Sequence, residues 1–161
     1  MKLIQITQIN DALAEMVALF RVELRSYKGI PSKPNIEAGR EEMDEYLSAQ
    51  FPVYAALVEG EYAGYVVCRI DSGVVWVESI FVKEKYRRLG VATALHSKAE
   101  EIAALYGDDT VYNYVHPNNH HMIEFLRKRG YTVLNLIEIR KPYKDEKLTQ
   151  TMAVGDHKFD Y

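Results

Sequence analysis

Apolar residues recur every three or four positions in two stretches of the first third of the chain, which predicts two amphipathic helices. The first helix is expected over residues 11–26 behind Asn10, and the second begins behind Asn35. Asparagine favours the capping position because its side chain accepts a hydrogen bond from the first helical turn. The apolar positions are Leu13, Met16, Val17, Phe20 and Leu24 in the first stretch, then Ile36, Met43 and Leu47 in the second.

From residue 53 the pattern changes to that of strands. Runs rich in β-branched and aromatic residues cover residues 54–58, 62–70 and 74–82, and short Gly-containing turns separate them. Such runs joined by tight turns predict an antiparallel meander of three strands. A helix over residues 93–106 follows, with Gly107 placed as a left-handed cap, and then a strand over residues 110–115.

The last third of the chain begins at Pro117, which cannot extend a central strand ladder. A helix is predicted from about Asn119 to Gly130, followed by strands over residues 131–140 and 149–159. The resulting order is βααβββαβαββ, a mixed α/β arrangement of about seven strands and four helices. At 161 residues, the chain 1–161 is expected to form a single domain with one core.

Composition and charge narrow the class of protein. Hydrophobic content of 48% and charged content of 27% are those of a globular protein, and no apolar run approaches the roughly 20 residues of a membrane helix. The first residues do not have the pattern of a signal peptide, so we expect a cytoplasmic protein without a membrane partner. A net charge of -3 argues against nucleic acid as a partner, since phosphate backbones require a basic surface.

The only cysteine, Cys68, lies within a strand-like run. A lone cysteine cannot form an internal disulfide, which agrees with a reducing compartment. We expect it to be a small buried hydrophobe rather than a catalytic thiol, because no nearby base is identifiable from the sequence.

A candidate anion site lies where the third meander strand passes into the next helix. The first amides of a helix have no partners within it, and the helix dipole adds partial positive charge, so this position favours a phosphate group. Gly90 allows the backbone to approach such a ligand closely. The segment reads Arg87-Arg88-Leu89-Gly90-Val91-Ala92.

The order Arg-x-x-Gly-x-Ala after a strand that ends in valine resembles the acyl-CoA-binding motif of the GNAT superfamily of N-acyltransferases. The resemblance implies the GNAT fold, with a mixed, mostly antiparallel central sheet flanked by four helices. It also implies acetyl-CoA (coenzyme A) as acyl donor, with the pantetheine arm paired to the backbone of Ile80, Phe81 and Val82. The residues implied around the pyrophosphate are Arg87, Arg88, Leu89, Gly90, Val91, Ala92 and Thr93. The alternative for Arg87 and Arg88 is a solvated basic turn.

A second block, from Asn119 to Gly130 and Tyr131, also resembles the family. There an asparagine contacts the coenzyme, although Asn119 is equally suited to capping the helix. Many members have a tyrosine seven positions after the asparagine that protonates the departing thiolate, whereas this chain has Leu126. A thiol titrates near about 8.5, so a thiolate can leave without an acid. Three tyrosines are alternative donors, namely Tyr112, Tyr114 and Tyr131.

The acceptor amine needs a base, because an alkylamine with a pKa near about 10.4 is almost wholly protonated at neutral pH. Glu78 is the candidate, since it is the only acid in an apolar strand and lies four residues before Val82, where several family members have a catalytic glutamate. The alternative is an outward-facing or ion-paired strand residue. The family geometry implies that the backbone amide of Val82 stabilises the thioester oxyanion. His116 is a further candidate for relaying protons.

Two other groups of residues have less specific interpretations. The spacing of His116, His120 and His121 matches no zinc pattern, and we expect no metal. Acidic residues of the second helix either attract a cationic amine or form its solvated face, the second interpretation being favoured. These are Glu37, Glu41 and Asp44.

The sequence thus predicts an N-acetyltransferase that moves an acetyl group from acetyl-CoA to a primary amine, in a small molecule or a protein, by direct attack in a ternary complex. One alternative is a non-catalytic acyl-CoA sensor, which Leu126 makes credible. Another is a phosphate-binding α/β module for a different nucleotide. The terminal strands provide an edge suited to a homodimer, but the sequence does not decide the oligomeric state or the amine.

Overall fold

The structure, a computed structural model, describes residues 1–161. Its elements have the order βααβββαβαββ, in which the last two strands are not the two that were predicted. Contacts within the chain define two compact units, Met1–Phe125 and Leu126–Tyr161. None of its helices combines the length and the apolar character that crossing a bilayer would require.

The first unit begins with strand β1 (Lys2–Gln5), followed by helix α1 (Asp11–Tyr27) and helix α2 (Ile36–Ser48). Both predicted caps are confirmed, because Asn10 accepts from the amide of Leu13 and Asn35 accepts from that of Ala38. The two helices approach closely at Gly39, where a Cβ atom would lie 2.3 Å from the carbonyl oxygen of Ala14. Glycine is therefore required there to let the two backbones meet.

A five-stranded sheet of order β1-β2-β3-β4-β5 forms the centre of this unit. It contains the predicted meander, β2 (Val53–Val58), β3 (Glu61–Asp71) and β4 (Val74–Val82), and ends with the short β5 (Tyr112–Asn113). The core is built from α1, α2 and the strands facing them. Its buried members are Ile6, Leu13, Met16, Val17, Met43, Tyr46, Val53, Ala55, Tyr65, Val67 and Phe81.

The pairing of β3 with β4 contains a bulge. Val67 is opposite Ser79 and Cys68 is opposite Val77, so Glu78 is the extra residue of β4. A bulge re-aims side chains locally because it interrupts the alternation of the two faces. The predicted catalytic acid therefore lies at the one irregular position of its strand.

Strand β5 runs parallel to β4 but pairs only at two positions, Trp76 with Tyr112 and Val77 with Asn113. The expected strand over residues 110–115 is thus shorter than its residue types suggested. Beyond Val77 the edge of β4 has no strand partner, and β4 and β5 diverge to leave a cleft.

A short 3-10 turn (Glu84–Tyr86) leads from β4 into helix α3 (Val91–Leu105), and helix α4 (His120–Lys128) follows β5. Helix α3 begins two residues earlier than predicted, directly after Gly90. Gly107 has a φ of 79°, as its role as a left-handed cap requires.

In the second unit, the predicted strand over residues 131–140 is wrong. These residues form no regular element, and Val133, Leu134 and Leu136 are exposed by 87%, 70% and 74%. Residue types typical of strands become a strand only when another backbone pairs with them, and here none does. The second predicted strand is instead a hairpin of β6 (Thr151–Val154) and β7 (His157–Asp160), paired with each other.

Candidate active site between two diverging strands

The cleft between β4 and β5 brings together residues that the sequence suggested separately. Its walls come from the end of α1, the middle of β4, the stretch after β5 and the start of α4. The lining residues are Phe20, Leu24, Val77, Glu78, Ser79, Ile80, Asn113, Tyr114, Val115, His116, Asn119 and Met122. The cleft therefore combines apolar walls with a carboxylate, a serine hydroxyl, a phenol, two amides and an imidazole.

The backbone of β4 presents alternate residues to the cleft. The amide of Lys83 donates to the carbonyl of Ala63 on β3. In an antiparallel ladder, the backbone groups of residues two apart point toward the same neighbouring strand. Phe81 accordingly turns toward β3, where its carbonyl oxygen lies 2.5 Å from the position of a Cβ on Gly64. The backbone groups of Ile80 and Val82 turn toward the open edge, and the Val82 carbonyl accepts a hydrogen bond there from Arg87 Nε at 3.0 Å.

Glu78 is ion-paired in the cleft. Arg69 Nε on β3 donates to Glu78 Oε2 at 3.0 Å, and the arginine lies over the ring of Trp76 at 4.3 Å. The ion-paired strand residue and the catalytic candidate are thus one and the same side chain. Because Arg69 occupies Oε2, the Oε1 atom of Glu78 is the oxygen left for an amine or a water. About 30% of the glutamate side chain is exposed.

The turn before α3 has the geometry of an anion site. Gly90 has φ 80° and ψ 2°, and no side chain caps the helix. The amides of Val91, Ala92 and Thr93 belong to the first turn, where a helix leaves its N–H groups without intrahelical partners. A Cβ atom on Gly90 would meet nothing within 4 Å, so the left-handed backbone rather than crowding requires glycine. Arg88 also has positive φ, at 64°.

The two arginines of this turn have different surroundings. Arg87 donates through Nη2 to both carboxylate oxygens of Glu23 on α1, at 3.0 Å and 2.9 Å, in addition to its bond with Val82. Arg88 and Leu89 are exposed, whereas Val91 is buried. Arg87 therefore ties the turn to α1 and β4, and Arg88 is the cation that faces solvent.

Asn119 has both features that the sequence left open. Its Oδ1 atom accepts from the amide of Met122 at 3.1 Å, which caps α4, and the residue also lines the cleft. The cap holds the asparagine at the cleft wall, so the two roles are compatible.

His116 is held by its neighbours on the same wall. Its Nδ1 atom accepts from the amide of Asn118 at 3.2 Å, and its ring stacks on Tyr27 with 6.1 Å between centroids. Burial, with a smaller contribution from Lys28, lowers the pKa of His116 below its usual 6.5. Burial and Glu23 raise the pKa of Tyr27 to about 12, so its hydroxyl keeps its proton at neutral pH.

The alternative proton donors lie in different places. Tyr114 lines the cleft and is 65% exposed. Tyr112 packs its ring against Trp76 at 5.5 Å, and Tyr131 belongs to the second unit. Leu126, at the position where the family pattern has a tyrosine, is buried. Of these four residues, only Tyr114 lines the cleft.

Two polar partners of cleft residues were not predicted from the sequence. Ser79 pairs its hydroxyl with that of Tyr65 at 2.8 Å, and both side chains are buried. Burial raises the pKa of Tyr65, so the phenol remains neutral. The second partner is Arg69, which register across the hairpin could have suggested, since it lies opposite Trp76 and beside Glu78.

Other candidate residues lie outside the cleft chemistry. Burial raises the pKa of the Cys68 thiol to about 12, so it is the small buried residue that we expected. No group of three or more histidine, cysteine or acidic side chains is arranged to hold a metal ion. Glu37, Glu41 and Asp44 are exposed on α2, and Glu37 lies 3.9 Å from Arg40.

Comparison with known proteins supports a single family. The model of the Acetyltransferase (GNAT) family matches residues 15–131. An N-alpha-acetyltransferase of Sulfurisphaera tokodaii is 32% identical over 126 residues, which cover 70% of this chain and 72% of that protein.

Solved structures agree on the fold. The aminoglycoside N-acetyltransferase AAC(6')-Iy in complex with CoA has a TM-score of 0.63 at 20% identity, covering 87% of this chain and 93% of that one. The PaiA N-acetyltransferase of Thermoplasma acidophilum in complex with coenzyme A has a TM-score of 0.63 at 18% identity, with coverage of 80% and 89%.

Proposed function

This chain belongs to the acetyltransferase (GNAT) family, and we propose that it uses the cleft between β4 and β5 to transfer the acetyl group of acetyl-CoA to a primary amine. The observation that carries the proposal is the open edge of β4 beside Ile80 and Val82, which continues through a short turn into the anion site at the start of α3. Acetyl-CoA has an extended thioester arm that would lie along this strand edge, followed by a pyrophosphate that would reach the anion site.

In this proposal the pantetheine amides pair with the backbone groups of Ile80 as a further strand would, and the thioester carbonyl faces the amide of Val82, whose own carbonyl is bound to Arg87. Phe81 supports them from the core side. The pyrophosphate accepts hydrogen bonds from the first-turn amides of α3, while Arg88 supplies the opposite charge. The remaining residues around the phosphates are Leu89, Gly90, Val91, Ala92 and Thr93, with Asn119 on the opposite wall.

Arg87 holds this site in place rather than binding the phosphate. Its guanidinium is bound to Glu23 and to the Val82 carbonyl. It therefore connects the anion turn, the open strand edge and α1. Its loss should loosen the turn before α3 without removing the cation that faces solvent.

The reaction is direct attack of the amine on the thioester. The nitrogen lone pair forms the C–N bond as the carbonyl electrons move to oxygen, and the amide of Val82 on the open edge stabilises that oxyanion. The oxyanion then collapses, the C–S bond breaks, and the thiolate of coenzyme A leaves. The nitrogen releases protons, for which Glu78 Oε1 is the acceptor, directly or through one water.

The thiolate needs little assistance to depart, because thiols titrate near about 8.5. The Tyr114 hydroxyl is the donor on the cleft wall that can protonate it, since Leu126 has no proton to give. His116, whose pKa is lowered by burial, lies on the same wall and can pass a proton toward solvent.

We propose that the whole chain is one catalytic domain, because the matched residues 15–131 cover most of the first unit and continue into the second. The buried lone Cys68 fits a reducing cytoplasm. A small-molecule amine and a protein amine are both compatible with the relatives, one named for α-amino groups and one for aminoglycosides. A homodimer through the terminal hairpin is a further proposal.

The test is release of free thiol from acetyl-CoA with a panel of amino acids, polyamines, aminoglycosides and peptides. Acceptor-dependent release, with the acetylated amine identified by mass spectrometry, supports the transferase. Coenzyme A at about 100 times its Kd should also stabilise the fold by about 2.7 kcal/mol, with no comparable effect of ATP. Gly90→Val should remove that protection, and Gly60→Val, a change at a positive-φ turn elsewhere, should retain it. The absence of acceptor-dependent thiol release with every amine of the panel would refute the proposed function.

A further inference from the structure

Next to the proposed base, adjoining the residues that line the cleft, lies a fixed cation that the reaction itself does not require. We propose that Arg69 binds a carboxylate of the acceptor, so that the amine acetylated here belongs to a small amino acid rather than to a polycation. This inference rests on the proposed function, because it names the acceptor class of the same site. Its basis is the contact of Arg69 with Glu78 and Trp76.

Two contacts immobilise the guanidinium. Its Nε atom donates to Glu78 Oε2 at 3.0 Å, and its Cζ atom lies over the Trp76 ring, 4.3 Å from the centroid. Trp76 in turn packs on Tyr112 at 5.5 Å between centroids. An arginine already fixed in this way loses little conformational entropy when a ligand binds, which favours affinity.

The bond to Glu78 uses only one of the five N–H donors of the arginine. The two Nη atoms carry the other four in a planar fork, the geometry that matches a carboxylate with two parallel hydrogen bonds. The Arg69 side chain is 27% exposed, so it is open to solvent in part and partly desolvated. Partial desolvation strengthens such a bond relative to one in open water.

The charges at the site are complementary to a zwitterion. Glu78 Oε1 faces the ammonium or amine end of the acceptor, and Arg69 lies next to the same carboxylate group on the β3 side. An amino acid can place its nitrogen at Glu78 and its carboxylate at Arg69. A polycation would instead place positive charge against Arg69, and the neutral ion pair would give it no net attraction.

The competing explanation is that Arg69 only orients Glu78. The two explanations differ in one measurable quantity, the preference for an acceptor with a carboxylate over the same acceptor with a neutral amide. An orienting role affects both acceptors equally. A binding role affects only the carboxylate.

The experiment compares glycine, β-alanine, 4-aminobutyrate and L-phenylalanine, each with its own amide, as acceptors for the full chain with acetyl-CoA. We expect kcat/KM to favour the carboxylate by about 10- to 100-fold for at least one pair, since a charged hydrogen-bonding pair is worth that range. In Arg69→Gln the preference should fall to near one, chiefly through KM, and Arg69→Lys should retain part of it. Arg25→Gln, an exposed arginine on α1, is the matched control.

Calorimetric titration of the same compounds into the coenzyme A-loaded protein separates this inference from the proposed function. Tighter binding of a carboxylate than of its amide, lost in Arg69→Gln, supports the inference even if no thiol is released. Amine-dependent thiol release with no carboxylate preference in any pair overturns it and leaves the transferase intact. Equal losses for both members of a pair in Arg69→Gln also overturn it, because they assign Arg69 to orienting Glu78 alone.

Discussion

Replacing Glu78 by Gln is the sharpest test of the chemistry proposed for the cleft. Glutamine has nearly the same shape, and its carbonyl oxygen can still accept the hydrogen bond from Arg69 Nε that now goes to Glu78 Oε2 at 3.0 Å. What it cannot do is take a proton. The substitution therefore removes the proposed base while keeping the cleft wall.

The size of the effect follows from the acceptor. An alkylamine with a pKa near about 10.4 is unprotonated in about one molecule in 2,500 at pH 7, so exposing its lone pair costs about 4 to 5 kcal/mol. A positioned base recovers a factor of about 10² to 10⁴ in rate. We expect kcat/KM of Glu78→Gln to fall by that factor at pH 7. The loss should shrink as the pH approaches 10, because solvent then supplies the free amine.

The assay is the initial rate of thiol release between pH 6 and pH 10 for both proteins. Glu41→Gln on α2 is the matched control, since it removes the same charge from an exposed side chain. Unfolding by urea should show a change of no more than about 1 kcal/mol for Glu78→Gln, the range of a partly exposed ion pair.

Two results would refute the reasoning. A decrease of less than about threefold at pH 7 would mean that the amine reaches the thioester without Glu78. A large decrease that is the same at every pH would assign Glu78 to binding or positioning instead of proton transfer.

Three further predictions concern stability. Tyr65→Phe leaves the buried Ser79 hydroxyl without its 2.8 Å partner and should lower the free energy of unfolding in urea by about 1 to 3 kcal/mol. Adding Ser79→Ala should recover part of the loss, and full additivity of the two substitutions would contradict a direct bond. Gly39→Ala should lower it by about 1 to 3 kcal/mol despite the better helix propensity of alanine, because the new Cβ would lie 2.3 Å from the Ala14 carbonyl oxygen; an unchanged unfolding midpoint would contradict that contact. His116 has a folded pKa below its unfolded 6.5, so its contribution to stability is present above pH 6.5 and lost as the pH falls below it. His116→Gln should therefore reduce the difference in unfolding free energy between pH 8 and pH 5. An identical difference in the two proteins would contradict the lowered pKa.

Local patterns were sufficient for the parts of the fold that local interactions determine. Asn10 and Asn35 cap their helices as predicted, and the meander strands agree with the structure to within one residue. Capping side chains and tight turns act over three or four residues, so the sequence contains the whole interaction.

Pairing between distant segments was less accessible. The expected strand over residues 131–140 has suitable residue types, yet no backbone pairs with it, and β5 is only two residues long. Strand formation depends on a partner elsewhere in the chain, and alternation cannot indicate whether one is present. The same limit applies to the cleft, because the Ser79 pair with Tyr65 is visible only once the hairpin register is known.

Within the site, the sequence indicated the turn at Gly90 and Glu78 as the candidate base, but not the different contacts of the two neighbouring arginines. Arg87 and Arg88 are adjacent and chemically identical, and they differ in that Arg87 binds Glu23 and the Val82 carbonyl. Glu78 lies at a bulge that shifts the register of β4 by one residue. Such shifts arise from packing of the whole sheet, which a sequence pattern does not encode.

Because one edge of β4 is open, the amide hydrogens of this strand should exchange with solvent at alternating rates. Phe81 turns its backbone toward β3, whereas the backbone groups of Ile80 and Val82 on either side of it turn toward the open edge. Deuterium should therefore replace the amide hydrogens of Ile80 and Val82 quickly and that of Phe81 slowly, a fast and slow alternation within three consecutive residues. A bound pantetheine arm would make all three slow, so a pair of amide signals can report occupancy of the donor site residue by residue, without any turnover.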